Sequence, residues 1–238
     1  MPDDSSPSTH TGGNPSAGAF FVGPEGGKQS PGVLLLHSWW GLTEWTKDLA
    51  TRIADEGYTV LAPDLLGGLQ PMSPDEGEAA LAQVSPDELS SLVLSSARVL
   101  QNAAAGDGQP IAVVGFSMGA SMALWLSARL EESVTAVVTF YGAQSIDFDT
   151  ANATFQGHFA EDDHLVSEED RVVTESFIRL GDNPTEFHVY PRTKHWFFEP
   201  GETHDEEASE LAWTRMVEFL NRVMTSSEVD KTTGAKDS

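Results

Sequence analysis

Six short strand candidates recur along the chain at residues 32–37, 58–62, 111–115, 134–141, 153–159 and 186–190, the first two of them nearly continuous apolar runs. Longer stretches of helical period separate most of them, at 44–56, 86–104, 118–130 and 167–180, with a last one at 205–224. A strand that is apolar without alternation is buried on both faces, and such strands belong to parallel sheets. Regular alternation with helices requires crossover connections that cover the sheet on both sides. The chain is therefore read as an α/β fold: a mostly parallel central sheet with helices on both faces, in one domain over residues 19–224. Residues 1–18 and 225–238, rich in Ser, Thr, Gly and Pro or charge, read as flexible extensions. No repeat with a period of 20 to 50 residues is visible.

Charge narrows the partners. The 238 residues hold 37 acids and 13 bases, a formal net charge of −24. Five acids and two lysines lie in the two extensions, so the body keeps 32 acids against 11 bases and is itself acidic. Nucleic acid and anionic lipid are poor partners for such a surface, because phosphate contacts need clustered Lys and Arg. The acidic runs at 161–163, 168–170 and 205–207 lack the spacing of a calcium loop and read as solvated faces. Only five of the 13 bases are lysine. An acidic, lysine-poor surface fits a protein kept soluble in concentrated salt, where the Debye length is about 3 Å at 1 M. Salt adaptation predicts a melting temperature that climbs between 0.1 and 3 M KCl, and a flat or falling trend in a thermal-shift titration sinks that expectation. Cysteine is absent, which excludes a thiolate nucleophile and a cysteine-ligated zinc. No run reaches the roughly 20 apolar residues of a membrane span, and the polar N-terminus has neither part of a secretion signal. The expected setting is cytoplasmic, away from membranes, and the charge favours a monomer.

Chemistry concentrates at one strand end. Gly115-Phe116-Ser117-Met118-Gly119 forms a G-x-S-x-G pattern between an apolar strand and an apolar helix. That context is what the pattern needs, since small residues permit the sharp turn that exposes the serine hydroxyl. The N-terminus of the following helix favours negative charge developing beside Ser117. A serine hydroxyl needs a base, and the base an orienting acid. With the order Ser, acid, His on successive strand ends, His195 is the natural base and Asp163 the natural acid. Asp162 adjoins Asp163, and His158, His164, His188 and His204 compete with His195. His158, His164 and the acidic pair have no recognised metal-ligand spacing.

These segments together resemble the dienelactone hydrolase family of α/β-hydrolases. The resemblance runs over residues 19–224 through HSWWGL (37–42), APDLLGG (62–68), GFSMGA (115–120), AEDDHLV (160–166) and YPRTKHWFF (190–198). It implies a seven- or eight-stranded, mostly parallel sheet without a large lid. The D-x-x-V spacing selects Asp163 over Asp162, and the YPxxxHxFF-like segment selects His195. The resemblance also implies an oxyanion hole formed by the backbone N–H groups of Met118 and Trp39. Founding members of the family carry a cysteine where Ser117 stands and a glutamate where Ser38 stands. They also bind a substrate carboxylate with arginines, one after the PDL segment and one at the position of Glu199. Residues 65–72 contain no arginine, and Glu199 reverses the charge, which points away from a carboxylate-bearing dienelactone.

The expected chemistry is acyl transfer from a small neutral ester or lactone to water, without cofactor or metal. Ser38, Trp40, Trp196 and Phe197 are the expected pocket residues, with the aromatic rings as an apolar rim. Two other outcomes share this fold: an idle hydrolase scaffold used as a binding module, and acyl transfer to an alcohol or amine.

Overall fold

The computed structural model describes residues 18–24, 29–104 and 109–234. Seven strands form a single sheet: β1 (Ala19–Val22), β2 (Gly32–Leu36), β3 (Thr59–Pro63), β4 (Ile111–Phe116), β5 (Val134–Phe140), β6 (Thr154–Ala160) and β7 (Thr185–Tyr190). Their order is β1-β3-β2-β4-β5-β6-β7, parallel throughout except for β1, which pairs antiparallel with β3. Among the described residues six α-helices connect or flank the strands: α1 (Glu44–Asp55), α2 (Pro74–Leu81), α3 (Pro86–Ala103), α4 (Met118–Ser127), α5 (Glu168–Leu180) and α6 (Glu206–Gly234).

Every residue of β2, β3 and β4 is buried, as unbroken apolar runs require. The pleat sends neighbours to opposite layers. Val33 and Leu35 pack with Leu49 and Ile53 of α1 and Met216 and Phe219 of α6, whereas Leu34 and Leu36 pack with Val93 and Leu100 of α3 and Leu124 of α4. Helix starts follow local chemistry. The hydroxyls of Thr43, Ser73 and Ser85 accept the N–H three residues on, and Ser167 with Asp170 closes a capping box.

Two elements lie outside the sequence reading. The β1 strand is only four residues long and sits at an edge, and α2 carries Gly77 in its middle and too few apolar residues to show a stripe. Gly77 is there for packing: a Cβ would meet the Trp39 ring at 2.8 Å. At the other end, part of the expected flexible tail is helical. Helix α6 continues over residues 225–234, since nothing between Met224 and Gly234 breaks a helix, while residues 235–238 lie outside the described residues. The expected N-terminal extension falls, but for Gly18, outside them too.

The register matters for the site. Leu36 is level with Gly115, Phe116 with Phe140, Phe140 with His158, and Ala160 with Tyr190. The carboxyl ends of five strands thus form one ledge, where parallel α/β sheets place their sites.

Candidate active site

Ser117 is the first residue beyond β4, and its backbone is strained into φ 50°, ψ −110°. Strain of this kind costs on the order of 1–3 kcal/mol and persists only where surroundings impose it. Here they are identifiable. The Ser117 N–H donates to Phe140 O at 2.9 Å and Ser117 O accepts the Ser121 N–H at 3.1 Å, so the turn is fixed on both sides. Gly115 and Gly119 allow the close approach: a Cβ on Gly115 would lie 2.3 Å from Gly119 O, and one on Gly119 would lie 2.2 Å from Leu36 O. The serine side chain does not cap its own helix. Its hydroxyl instead meets His195 Nε2 at 2.8 Å.

His195 comes from the loop after β7 and is 1% exposed. Its Nδ1 lies 2.8 and 2.9 Å from the two carboxylate oxygens of Asp163, in the loop after β6. Asp163 is held from behind, because Oδ1 accepts the N–H groups of Leu165 at 2.8 Å and Val166 at 3.0 Å. The D-x-x-V spacing is thereby a turn closed on the carboxylate. With Asp163 ionised, Nδ1–H donates to it and Nε2 is left to accept the Ser117 proton. Asp162 is exposed and its N–H goes to Thr193 O at 3.0 Å.

Of the other histidines, His164 lies nearest, its ring 6.2 Å from that of His195. His158 is fully buried on β6, bonded to Tyr190 Oη at 2.7 Å and Gln156 Oε1 at 3.0 Å, and burial keeps its pKa well below 6.5. His164 and His204 are exposed, and His188 lies on β7 with its ring 5.6 Å from that of His158. Among the described residues, no group of three or more His, Asp or Glu side chains is arranged around a common point for a metal.

Across the ledge, the turn 37–42 carries Trp39. His37 shapes this turn: Nδ1–H donates to Ser38 O at 2.6 Å while Nε2 accepts the Leu65 N–H at 2.8 Å, which fixes a neutral tautomer, and burial lowers its pKa. Gly119 packs directly on Leu36 O and His37 O, so this turn and the start of α4 are in contact. The N–H of Met118, first in α4, has no acceptor within its helix. Neither it nor the Trp39 N–H meets an acceptor among the described residues.

A cavity of about 470 Å³ opens beside Ser117 and His195. Ser121, Tyr141, Gln144, Ser145 and Asp170 give it polar walls, and Met118, Leu165 and Val166 give it apolar ones. Among the described residues no Lys or Arg lines it, and Asp170 is its one acidic side chain. Ser38, Trp40, Trp196 and Phe197, the expected pocket residues, are not among those that line this cavity. The three indoles pack on one another instead, Trp39 on Trp196 at 5.2 Å and Trp40 on Trp196 at 5.3 Å, and Phe197 is fully buried against Tyr190 at 4.9 Å. Nor does Glu199 face the cavity. It is buried, and its carboxyl accepts from Ser38 Oγ and Tyr141 Oη, each at 2.7 Å.

Tyr141, Gln144, Ser145 and Asp170 escaped the sequence reading. Tyr141 had a usable signal: it opens a Tyr-Gly pair at the end of an apolar strand, where residues enter the ledge. Like Ser117 it holds a positive φ, 39°. Asp170 gave no such signal, being one of many acids in a charged run.

With this geometry in place, comparison with known proteins gives a consistent answer. A carboxymethylenebutenolidase of Rhodococcus opacus is 27% identical over 211 residues, covering 81% of each chain. Protein usf of Aquifex pyrophilus is 24% identical over 206 residues, covering 82% of this chain and 89% of its own. Among solved structures, a dienelactone hydrolase-like promiscuous phosphotriesterase from metagenomic libraries superposes with a TM-score of 0.75 at 24% identity, covering 87% of this chain and 92% of that one. The sequence profile of the dienelactone hydrolase family matches residues 17–224, which takes in all seven strands and each of the loops just described, and the chain belongs to that family.

Proposed function

We propose that this family member is a serine hydrolase that cleaves small neutral carboxylic esters or lactones through an acyl-enzyme. The observation that carries the reading is the unbroken chain from Ser117 Oγ to His195 Nε2 and from His195 Nδ1 to Asp163, laid across three strand ends. Ser117 attacks the acyl carbonyl while His195 takes its proton; Asp163 holds the imidazole and stabilises the imidazolium. The tetrahedral oxyanion is received by the Met118 and Trp39 amides, each such donor typically contributing about 3 kcal/mol. His195 then protonates the departing alcohol and activates water for deacylation. Nucleophile and base are supplied by the chain itself. A cavity with no cation and with Asp170 in its wall favours neutral esters over carboxylate-bearing ones. We further propose that the acidic surface reflects work in concentrated salt, as a cytoplasmic monomer.

A fluorophosphonate probe tests the nucleophile directly. Peptide mapping is expected to find the label on Ser117, and the protein is expected to hydrolyse p-nitrophenyl acetate and butyrate in multimolar KCl. Folded protein that neither labels nor turns over ester would favour a binding module instead.

A further inference from the structure

The acyl-transfer steps leave one buried carboxyl unused. Glu199 is 4% exposed, and its backbone N–H is anchored to Trp196 O at 3.0 Å. Its two oxygens face different loops, Oε2 accepting from Ser38 Oγ and Oε1 from Tyr141 Oη. Ser38 immediately precedes Trp39, whose amide is the second oxyanion donor, and its hydroxyl also accepts the Trp40 N–H at 3.4 Å. Tyr141 walls the cavity beside Ser117, and its ring lies 4.8 Å from that of His195. One side chain therefore ties together the turn after β2, the end of β5 and the loop that carries the base.

No cation balances this carboxyl, since none of the ion pairs among the described residues includes it. The titratable groups around the cluster are Tyr141 itself, His195 with Asp163 beyond it, and His37 on the far side of the turn, bonded to Ser38 O. Burial holds Tyr141 and His37 in their neutral forms.

We propose that Glu199 is a positioning residue for this acyl transfer, bracing the Ser38–Trp40 turn against Tyr141 as a neutral acid and weakening the oxyanion hole when it ionises. The inference rests on Ser117 being the nucleophile. As an acid, Glu199 donates its proton to one hydroxyl and accepts from the other; as a carboxylate it accepts from both, so the brace survives and only the charge changes. That charge then sits one serine hydroxyl away from the turn that must stabilise a second negative charge, in a site where water screens little. Burial pushes the carboxyl up to about 7 against the pull of its two donors, which puts the change within reach of an ordinary pH series.

The test is a pH series of kcat and KM for p-nitrophenyl butyrate with wild type, Glu199→Gln and Tyr141→Phe, beside fluorophosphonate labelling of the wild type. Wild-type kcat is expected to fall on the alkaline side of about 7. Glu199→Gln is expected to lack that fall and to exceed wild type roughly tenfold at pH 9, with KM within twofold. Tyr141→Phe removes a donor to the carboxylate, so its falling limb is expected at higher pH, and this shift decides the matter should Glu199→Gln not fold. A Glu199→Gln profile that superimposes on wild type, or an equal loss at every pH in both variants, overturns the inference while the nucleophile assignment stands. A wild type that neither labels nor turns over ester overturns the nucleophile assignment, and this inference with it.

Discussion

Ser117→Ala is expected to lower kcat for p-nitrophenyl acetate about 10⁴- to 10⁶-fold while KM stays within a few-fold. The loss is confined to chemistry because the hydroxyl does no structural work. It does not cap α4, its only hydrogen-bond partner among the described residues is His195, and the Phe140 and Ser121 backbone bonds that hold the turn are indifferent to the side chain. Alanine keeps the Cβ and so inherits the same φ of 50° without added strain. Far-UV circular dichroism and melting temperature should therefore match wild type. Some rate over water should remain, from an oxyanion hole and cavity that the substitution leaves intact. A folded Ser117→Ala protein with wild-type turnover would remove the serine from the mechanism altogether.

Gly119→Ala should instead act on the fold. The added methyl would lie 2.2 Å from Leu36 O and 2.6 Å from His37 O, both backbone atoms at the end of the central strand β2. Neither can rotate away, so α4 must lift off the turn that carries Trp39. Overpacking against rigid backbone is expected to cost about 3 kcal/mol or more, and for a domain of this size that lowers Tm by roughly 6 to 12 °C. Activity should fall with it, because the two proposed oxyanion donors are on the two pieces being forced apart. Gly23→Ala is the control, its Cβ meeting only Thr59 Oγ1 at an ordinary 3.6 Å. A Gly119→Ala protein melting within 2 °C of wild type would show that the turn can yield.

The strands β2 and β4 were legible because burial on both faces leaves no room for polar residues, and the ends of β2, β4, β5, β6 and β7 all fall within a residue or so of the strand candidates at 32–37, 111–115, 134–141, 153–159 and 186–190, although β6 and β7 carry Gln156, His158, Glu186 and His188. Ser117 was legible for the same kind of reason, since the turn demands glycines at fixed offsets. What periodicity could not show was the direction of side chains leaving a loop. Trp196 and Phe197 look like pocket aromatics in sequence, yet a φ of 64° at Trp196 turns the chain so that one ring stacks with other indoles and the next enters the core. Glu199 looks like a charge presented to substrate and is in fact enclosed between two hydroxyls. The short edge strand β1 and the glycine-bearing α2 were hidden because their fit depends on partners far away in sequence, Thr59–Pro63 in one case and Trp39 in the other.

The cation-free cavity has a further consequence for turnover. Cleaving a neutral ester converts an uncharged ligand into an acid that ionises as it leaves, and Asp170 together with the net charge of −24 makes the protein a poor host for that anion. On the proposed function, substrate enters without electrostatic penalty and the carboxylate product leaves with a push, so the site is biased against its own product. Accumulated acid should then slow this enzyme little, and emptying the acyl half of the cavity need not limit the cycle.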